Sequence, residues 1–312
     1  MKNEDVYEMI TEQIIEALKQ DVIPWEKPWR ADEPRSIATG DPYSGTNRLV
    51  LEARRMMENY SSPFWGTFNQ VTEHDGRVNK EETSTRIVFC KVLERYECSS
   101  CGNTIKDPED HFDTEHDSGP REDDLEEVEI PLLRYYNVFN LDQTTLTEED
   151  VQYASEDPEG ANSKESCEGI VAGYADRPEI NHGRGKAYYD PGDDVIGLPE
   201  RNKFKGTDEY YFTLFHELTH STGHEARLDR EAVSRNTFFR DYEYGREELV
   251  AELGASFLGK EANLETRKKI ENRAAYVQSW IQTLEKDEQA VVRASSDAQT
   301  AVDFILNGAT DE

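Results

Sequence analysis

Residues 214–224 read LFHELTHSTGH, and this stretch narrows the possible folds more than any other. His216 and His220 are four residues apart, so on an α-helix they stand one turn apart on one face and can converge on a single ion. Zinc suits such a pair, because it accepts imidazole nitrogen and in a catalytic site keeps one coordination position open. Glu217, next to the first histidine, is badly placed to ligate but can reach a water beside the ion as general base. Tyr211, Leu214, Phe215 and Leu218 make the rest of the segment apolar, as a helix packed into a core requires. Thr207 or Asp208 can cap this helix and Gly223 can end it.

Two histidines leave a ligand to be found. The pattern HExxHxxGxxH fails here, since Ala226 stands at its last position. His224 comes two residues too early and lies beyond Gly223, which assigns it to a loop beside the centre. The other solution is a carboxylate from a later helix, and YGREELVAELGASFLG at 244–259 supplies Glu247, Glu248 and Glu252. Glu248 and Glu252 share a helical face. We expect Glu248 as the third ligand and Glu252 holding the free N–H of a ligand histidine, with the reverse assignment as the rival. KAYYDPGDDVIGLP at 186–199 reads as strand, turn, strand. Its edge could pair with an extended peptide beside the ion, or the hairpin could be purely structural.

A chain of 312 residues suggests two domains. It has no apolar run near the length of a membrane span, and MKNEDVYEMI lacks the features of a signal peptide, so the expected location is cytoplasmic. The net charge of −31 has three readings. Disorder is opposed by 10% aromatics and by long periodic apolar stretches. An acidic DNA mimic is the second. The third, a high-salt cytoplasm and hence a halophilic source, fits best because the acids are spread over both halves.

Residues 4–20 place Val6, Met9, Ile10, Ile14, Ala17 and Leu18 on one helical face, and Pro24 and Pro28 forbid its continuation. Residues 85–97 and 132–141 read as partner strands. Between them lies an insertion, 98–131, whose residues 107–129 hold 12 acids and one arginine. Cys98 and Cys101 open it, with His111 and His116 following. This set could bind a second, structural zinc, or it could be two reduced cysteines in an acidic loop. Residues 142–168 are polar and serve as a linker. The expected class is α+β. An α+β domain spans 1–141, and a mostly helical domain with a small antiparallel sheet spans 169–312.

HELTHSTGH…RLDR, YGREELVAELGASFL, AYVQSWIQTLEKD and AVDFIL resemble the zincin-like metallopeptidase domain of ArdC-type antirestriction proteins. DVYEMITEQIIEAL, PWEKPW, SPFWGTFNQ and YYNVFN resemble that family's N-terminal single-stranded-DNA-binding domain. The resemblance implies shielding of incoming DNA from restriction; it leaves the protein substrate open, with a restriction-system component as one candidate. A single-strand binder needs stacking aromatics in a basic groove. Trp25, Trp29, Tyr43 and Trp65 are the candidate aromatics, with Lys27, Arg30, Asn47 and Arg48 as polar partners. Residues 24–55 hold six basic and five acidic residues, a local excess of positive charge in an acidic chain. Two rival functions remain: a DNA-protecting module whose metal is structural, and the acidic mimic.

Overall fold

The computed structural model describes residues 3–25, 33–98, 104–106, 125–151, 163–234, 241–264 and 273–308. The chain forms two compact units. One comprises Met1–Val6 with Val88–Tyr136, the other Tyr7–Ile87 with Asn137–Glu312.

Helices α1 (Asn3–Lys19) and α2 (Gly45–Glu58) are followed by a short strand, helix α3 (Phe68–Glu73) and two long strands. In chain order the strands of this region are β1 (Arg35–Ser36), β2 (Phe64–Thr67), β3 (Thr85–Cys98), β4 (Thr104–Ile105) and β5 (Leu125–Asn140). Their order in the sheet is β1-β2-β5-β3-β4. The amphipathic pattern of α1 is used as written: Ile10, Ile14, Ala17 and Leu18 are buried. Thr67 starts α3 with a capping box, its hydroxyl accepting from the Gln70 N–H while Gln70 Oε1 accepts from the Thr67 N–H.

Helix α4 (Ser163–Gly173) occupies the end of the stretch expected to be linker. Strands β6 (Glu179–His182), β7 (Tyr188–Asp190) and β8 (Val195–Leu198) form a second sheet in the order β6-β8-β7. The hairpin β7–β8 is antiparallel as expected, but β6 joins β8 in parallel, so the sheet is mixed and not purely antiparallel. EINH has little strand character of its own; its pairing with the buried strand VIGL supplies it.

Among the described residues five helices complete the larger unit: α5 (Thr207–Ser221), the short α6 (Glu231–Ser234), α7 (Asp241–Glu261), α8 (Arg273–Lys286) and α9 (Ala290–Asn307). Helix α7 is apolar nearly all round from Leu249 to Leu258 and packs most extensively against α5 and α9. Its Gly254 faces Thr219 of α5. A Cβ there would lie 2.4 Å from Thr219 Cγ2, so only glycine permits this spacing. Small residues on α9 admit α2 in the same way, and Thr46 Oγ1 and Ser295 Oγ meet at 2.5 Å in the buried contact. Trp25 is sealed in this core, its ring edge-on to Trp280 at 5.2 Å and its carbonyl accepting from Ser256 Oγ. Helix α2 carries a buried ion pair, with Arg55 Nε 3.0 Å from Glu52 Oε2 and Arg55 Nη2 3.1 Å from Glu52 Oε1.

Candidate metal centre

Helix α5 begins after Gly206, which is its N-cap in extended conformation, so neither Thr207 nor Asp208 takes the capping role expected of it. The acids Asp208 and Glu209 instead sit in the first turn, where the helix dipole favours them. The helix ends at Ser221, with Thr222 as its C-cap in right-handed conformation; Gly223 does not act as a left-handed stop. What Gly223 permits is close packing, since a Cβ there would lie 2.7 Å from Val233 Cγ2 and 3.0 Å from Arg230 Nη2.

On the face of α5 turned to α7, His216 Nε2 and His220 Nε2 stand 3.1 Å apart. Glu248 of α7 meets both: its Oε2 is 3.6 Å from His216 Nε2 and its Oε1 3.6 Å from His220 Nε2. Ligand atoms of these three residues all lie within 4.8 Å of one another. A tetrahedral ion with bonds of about 2.0–2.1 Å needs neighbouring donors roughly 3.3–3.4 Å apart, so the triangle fits one ion with little adjustment. Glu252 Oε1 lies 3.6 Å from His216 Nδ1, the ring nitrogen turned away from this triangle.

Charge makes the same point as distance. Burial would lower the His220 pKa, but hydrogen bonds to Glu247 and Glu248 overcome it and push the ring up to about 10. The pocket thus holds positive charge strongly, as a cation site must. His220 Nδ1–H donates to Glu247 Oε1 at 3.1 Å, which leaves Nε2 as the nitrogen that faces the triangle and would give up its proton to an ion. Burial alone would raise the Glu247 pKa. The Arg230 guanidinium and the His220 ring hold it below the usual carboxylate range.

The segment RLDR at 227–230 locks this arrangement. Arg230 grips Glu247 with two bonds, Nε to Oε2 at 3.1 Å and Nη2 to Oε1 at 2.8 Å. The same guanidinium donates to the Thr219 carbonyl and to Thr222 Oγ1. Arg227 donates to the Ser221 carbonyl, to Tyr189 Oη and to Asp194. Two arginines therefore add donors to carbonyls of the last helical turn, which also accept from the Thr222 and His224 N–H groups. One also fixes the carboxylate behind His220, and the other ties the β7–β8 hairpin to the helix. The sequence reading missed both arginines and the role of Glu247. The signal available was two arginines three apart, just past a helix end, with a third carboxylate beside Glu248. Arg230→Gln is expected to weaken divalent-ion binding about 10–100-fold, measured by competition with a chromogenic chelator. Unchanged affinity would show that Glu247 holds His220 unaided.

Glu217 is 7% exposed, and burial lifts its carboxyl to about 7. The positive charge drawn to His220 opposes this rise, Glu248 adds to it, and the Tyr189 backbone N–H and Lys186 oppose it. The acid therefore lies between the ion triangle and the edge strand β7. His224 is placed elsewhere: its Nδ1 accepts from the Ala226 N–H in the turn after the helix, and it is not among the converging ligands.

The remaining expected site residues divide three ways. Trp25 and Trp65 are fully buried, and Arg48 is 5% exposed with its guanidinium 4.8 Å above the Phe257 ring. The core takes these three, so none presents a face to a nucleic acid in this structure. Tyr43 and Asn47 are half-buried, Tyr43 packing against the cluster of Leu51, Trp65, Ile87 and Val138. Lys27, Trp29 and Arg30 lie outside the described residues, as do Cys101, His111 and His116. Cys98 is buried at the end of β3.

A family model described as the N-terminal domain of anti-restriction factor ArdC matches residues 4–139, and one described as a zincin-like metallopeptidase matches residues 168–297. The chain is 31% identical to the uncharacterized protein y4eC of Sinorhizobium fredii, over 96% of its own length and 91% of that protein. It is also 31% identical to a DNA primase TraC of Escherichia coli, over 306 residues, but spans only 27% of that protein's length. Crystal structures of the antirestriction ArdC protein from the R388 plasmid are similar throughout. The metal-free form has a TM-score of 0.70 at 31% identity, with 97% of each chain covered. The Mn(II)-bound form also has a TM-score of 0.70, at 30% identity, with 98% of each chain covered. Among the described residues no helix is long and apolar enough to cross a membrane.

Proposed function

The chain belongs to the ArdC family of antirestriction proteins, and on that premise we propose that it couples single-stranded-DNA binding to metal-dependent peptide hydrolysis. The division of labour we propose is 1–141 for DNA, 142–168 as the link and 169–312 for hydrolysis. One observation carries the hydrolytic reading: His216, His220 and Glu248 converge on one point beside the buried Glu217 carboxyl. In this reading the three are the ligands of a zinc ion, with Glu252 and Glu247 behind the two histidines. A bound zinc ion would supply Lewis acidity toward a peptide carbonyl and make water more acidic. Glu217 takes the proton from the attacking water and returns it to the departing amine. Strand β7, at the sheet edge and tied to the helix end by Arg227, receives the substrate as an added strand. The protein substrate in this reading is a component of a restriction system.

In the rival reading the ion only stabilises the fold, and cleavage by the Glu217→Gln variant separates the two. The related ArdC protein was crystallised both metal-free and Mn(II)-bound, and this chain matches both equally well. The ligand assignment is tested by zinc titration of Glu248→Ala against the unsubstituted chain. Spread over three or four ligands, a zinc site worth about 10–16 kcal/mol loses roughly 10²–10⁴-fold in affinity with one of them removed. Full affinity in this variant, with loss in Glu252→Ala, would reverse the two carboxylates.

A further inference from the structure

With Trp25 and Trp65 in the core, the DNA-binding reading needs another stacking surface. The smaller unit contains one. Among the described residues the exposed large hydrophobic side chains are Phe68, Phe89, Tyr136 and Leu306. Two of these touch: Phe89 on β3 and Tyr136 on β5, 52% and 43% exposed, meet edge to face with ring centroids 6.1 Å apart. Their contact puts both on one face of the β3–β5 ladder. Side chains alternate along a strand, so Arg134, two residues before Tyr136, belongs to the same face, and it too is exposed. Arg134 is thus a cation on the same face as the two rings.

We propose that Phe89 and Tyr136, with Arg134 beside them, form a base-stacking platform for single-stranded DNA. The inference rests on the DNA-binding reading above and names the residues that would perform it. Bases stack on aromatic faces with little regard to sequence, and a guanidinium at the edge meets the phosphate that follows. An apolar protein surface would use the rings equally well but would have no need of a guanidinium beside them. The exposed Arg134 therefore favours a polyanion.

The test is fluorescence anisotropy of a labelled oligothymidylate with the full chain, across a series of salt concentrations. Phe89→Ala and Tyr136→Ala should each weaken binding roughly 5–150-fold with the salt slope unchanged, because stacking releases no counterions. Arg134→Gln should make the slope of log affinity against log salt shallower by about 0.7, the value for one phosphate on a single strand. Phe89→Tyr keeps a ring and should bind like the parent, which separates stacking from damage to the hairpin. If the parent binds and both alanine variants bind as tightly, the platform is overturned while the DNA-binding reading stands. If the parent does not bind the oligonucleotide at all, both fail.

Discussion

Glu217→Gln is expected to bind its divalent ion as tightly as the parent chain and to hydrolyse an unstructured polypeptide about 10²–10⁴ times more slowly. The substitution is isosteric, and the residue sits in a tightly packed position at 7% exposure, so it leaves the geometry of His216, His220 and Glu248 in place. The amide oxygen still accepts from the Tyr189 N–H, but the side chain can no longer take a proton from water. Two measurements on one preparation separate the possibilities: ion content by elemental analysis, and cleavage rate. A variant that keeps both would remove Glu217 from the reaction. One that loses the ion would show that the carboxylate supports the ligands instead. Transformation assays with the same variant ask a further question. Undiminished protection of incoming DNA would assign protection to the DNA-binding part alone.

Glu52→Ala is expected to cost about 3–5 kcal/mol of stability, because it strands buried cations. Glu52 is fully buried and makes both bonds to Arg55, itself 3% exposed. It also supports the charge of Arg48, whose guanidinium burial brings down to about 10 against the pull of Glu261 and Glu52. Removing one carboxylate thus leaves two guanidinium groups undercompensated in the layer between α2 and α7. Urea unfolding followed by circular dichroism should show a lower midpoint. The double replacement Glu52→Leu with Arg55→Met should recover much of the loss, since an apolar pair of similar volume avoids desolvating both charges. A small effect of Glu52→Ala would mean that water reaches this pair in solution.

The parts of the centre legible in the sequence are those fixed by local geometry. Two histidines four apart on an apolar helix must share a face, whatever the rest of the fold does. Glu248 and Glu252 were legible as a pair for the same reason, but spacing does not say which of them meets the imidazole Nε2 atoms. That depends on how α7 crosses α5, which is set where Gly254 lets Thr219 approach. Glu247 and Arg230 were hidden because their partners come from another segment; a helical wheel of α7 places Glu247 off the Glu248–Glu252 face. Trp25 and Trp65 show the limit from the other side. An aromatic on a proline-broken loop and one filling a core have the same letter, and only the Trp25–Trp280 and Tyr60–Trp65 contacts tell them apart. The short strand EINH was illegible because its pairing is non-local.

The larger unit closes on itself across residues 88–136, with Ile87 and Val138 packed in one cluster at the point where the chain leaves and returns. Seen as material for recombination, the chain therefore has its clean seam at the base of that hairpin. A crossover near 142–168 would separate α2 from α9 and Trp25 from Trp280, so each product would inherit half of a shared interior. Exchanging the hairpin between relatives would leave that interior, and the metal centre within it, whole.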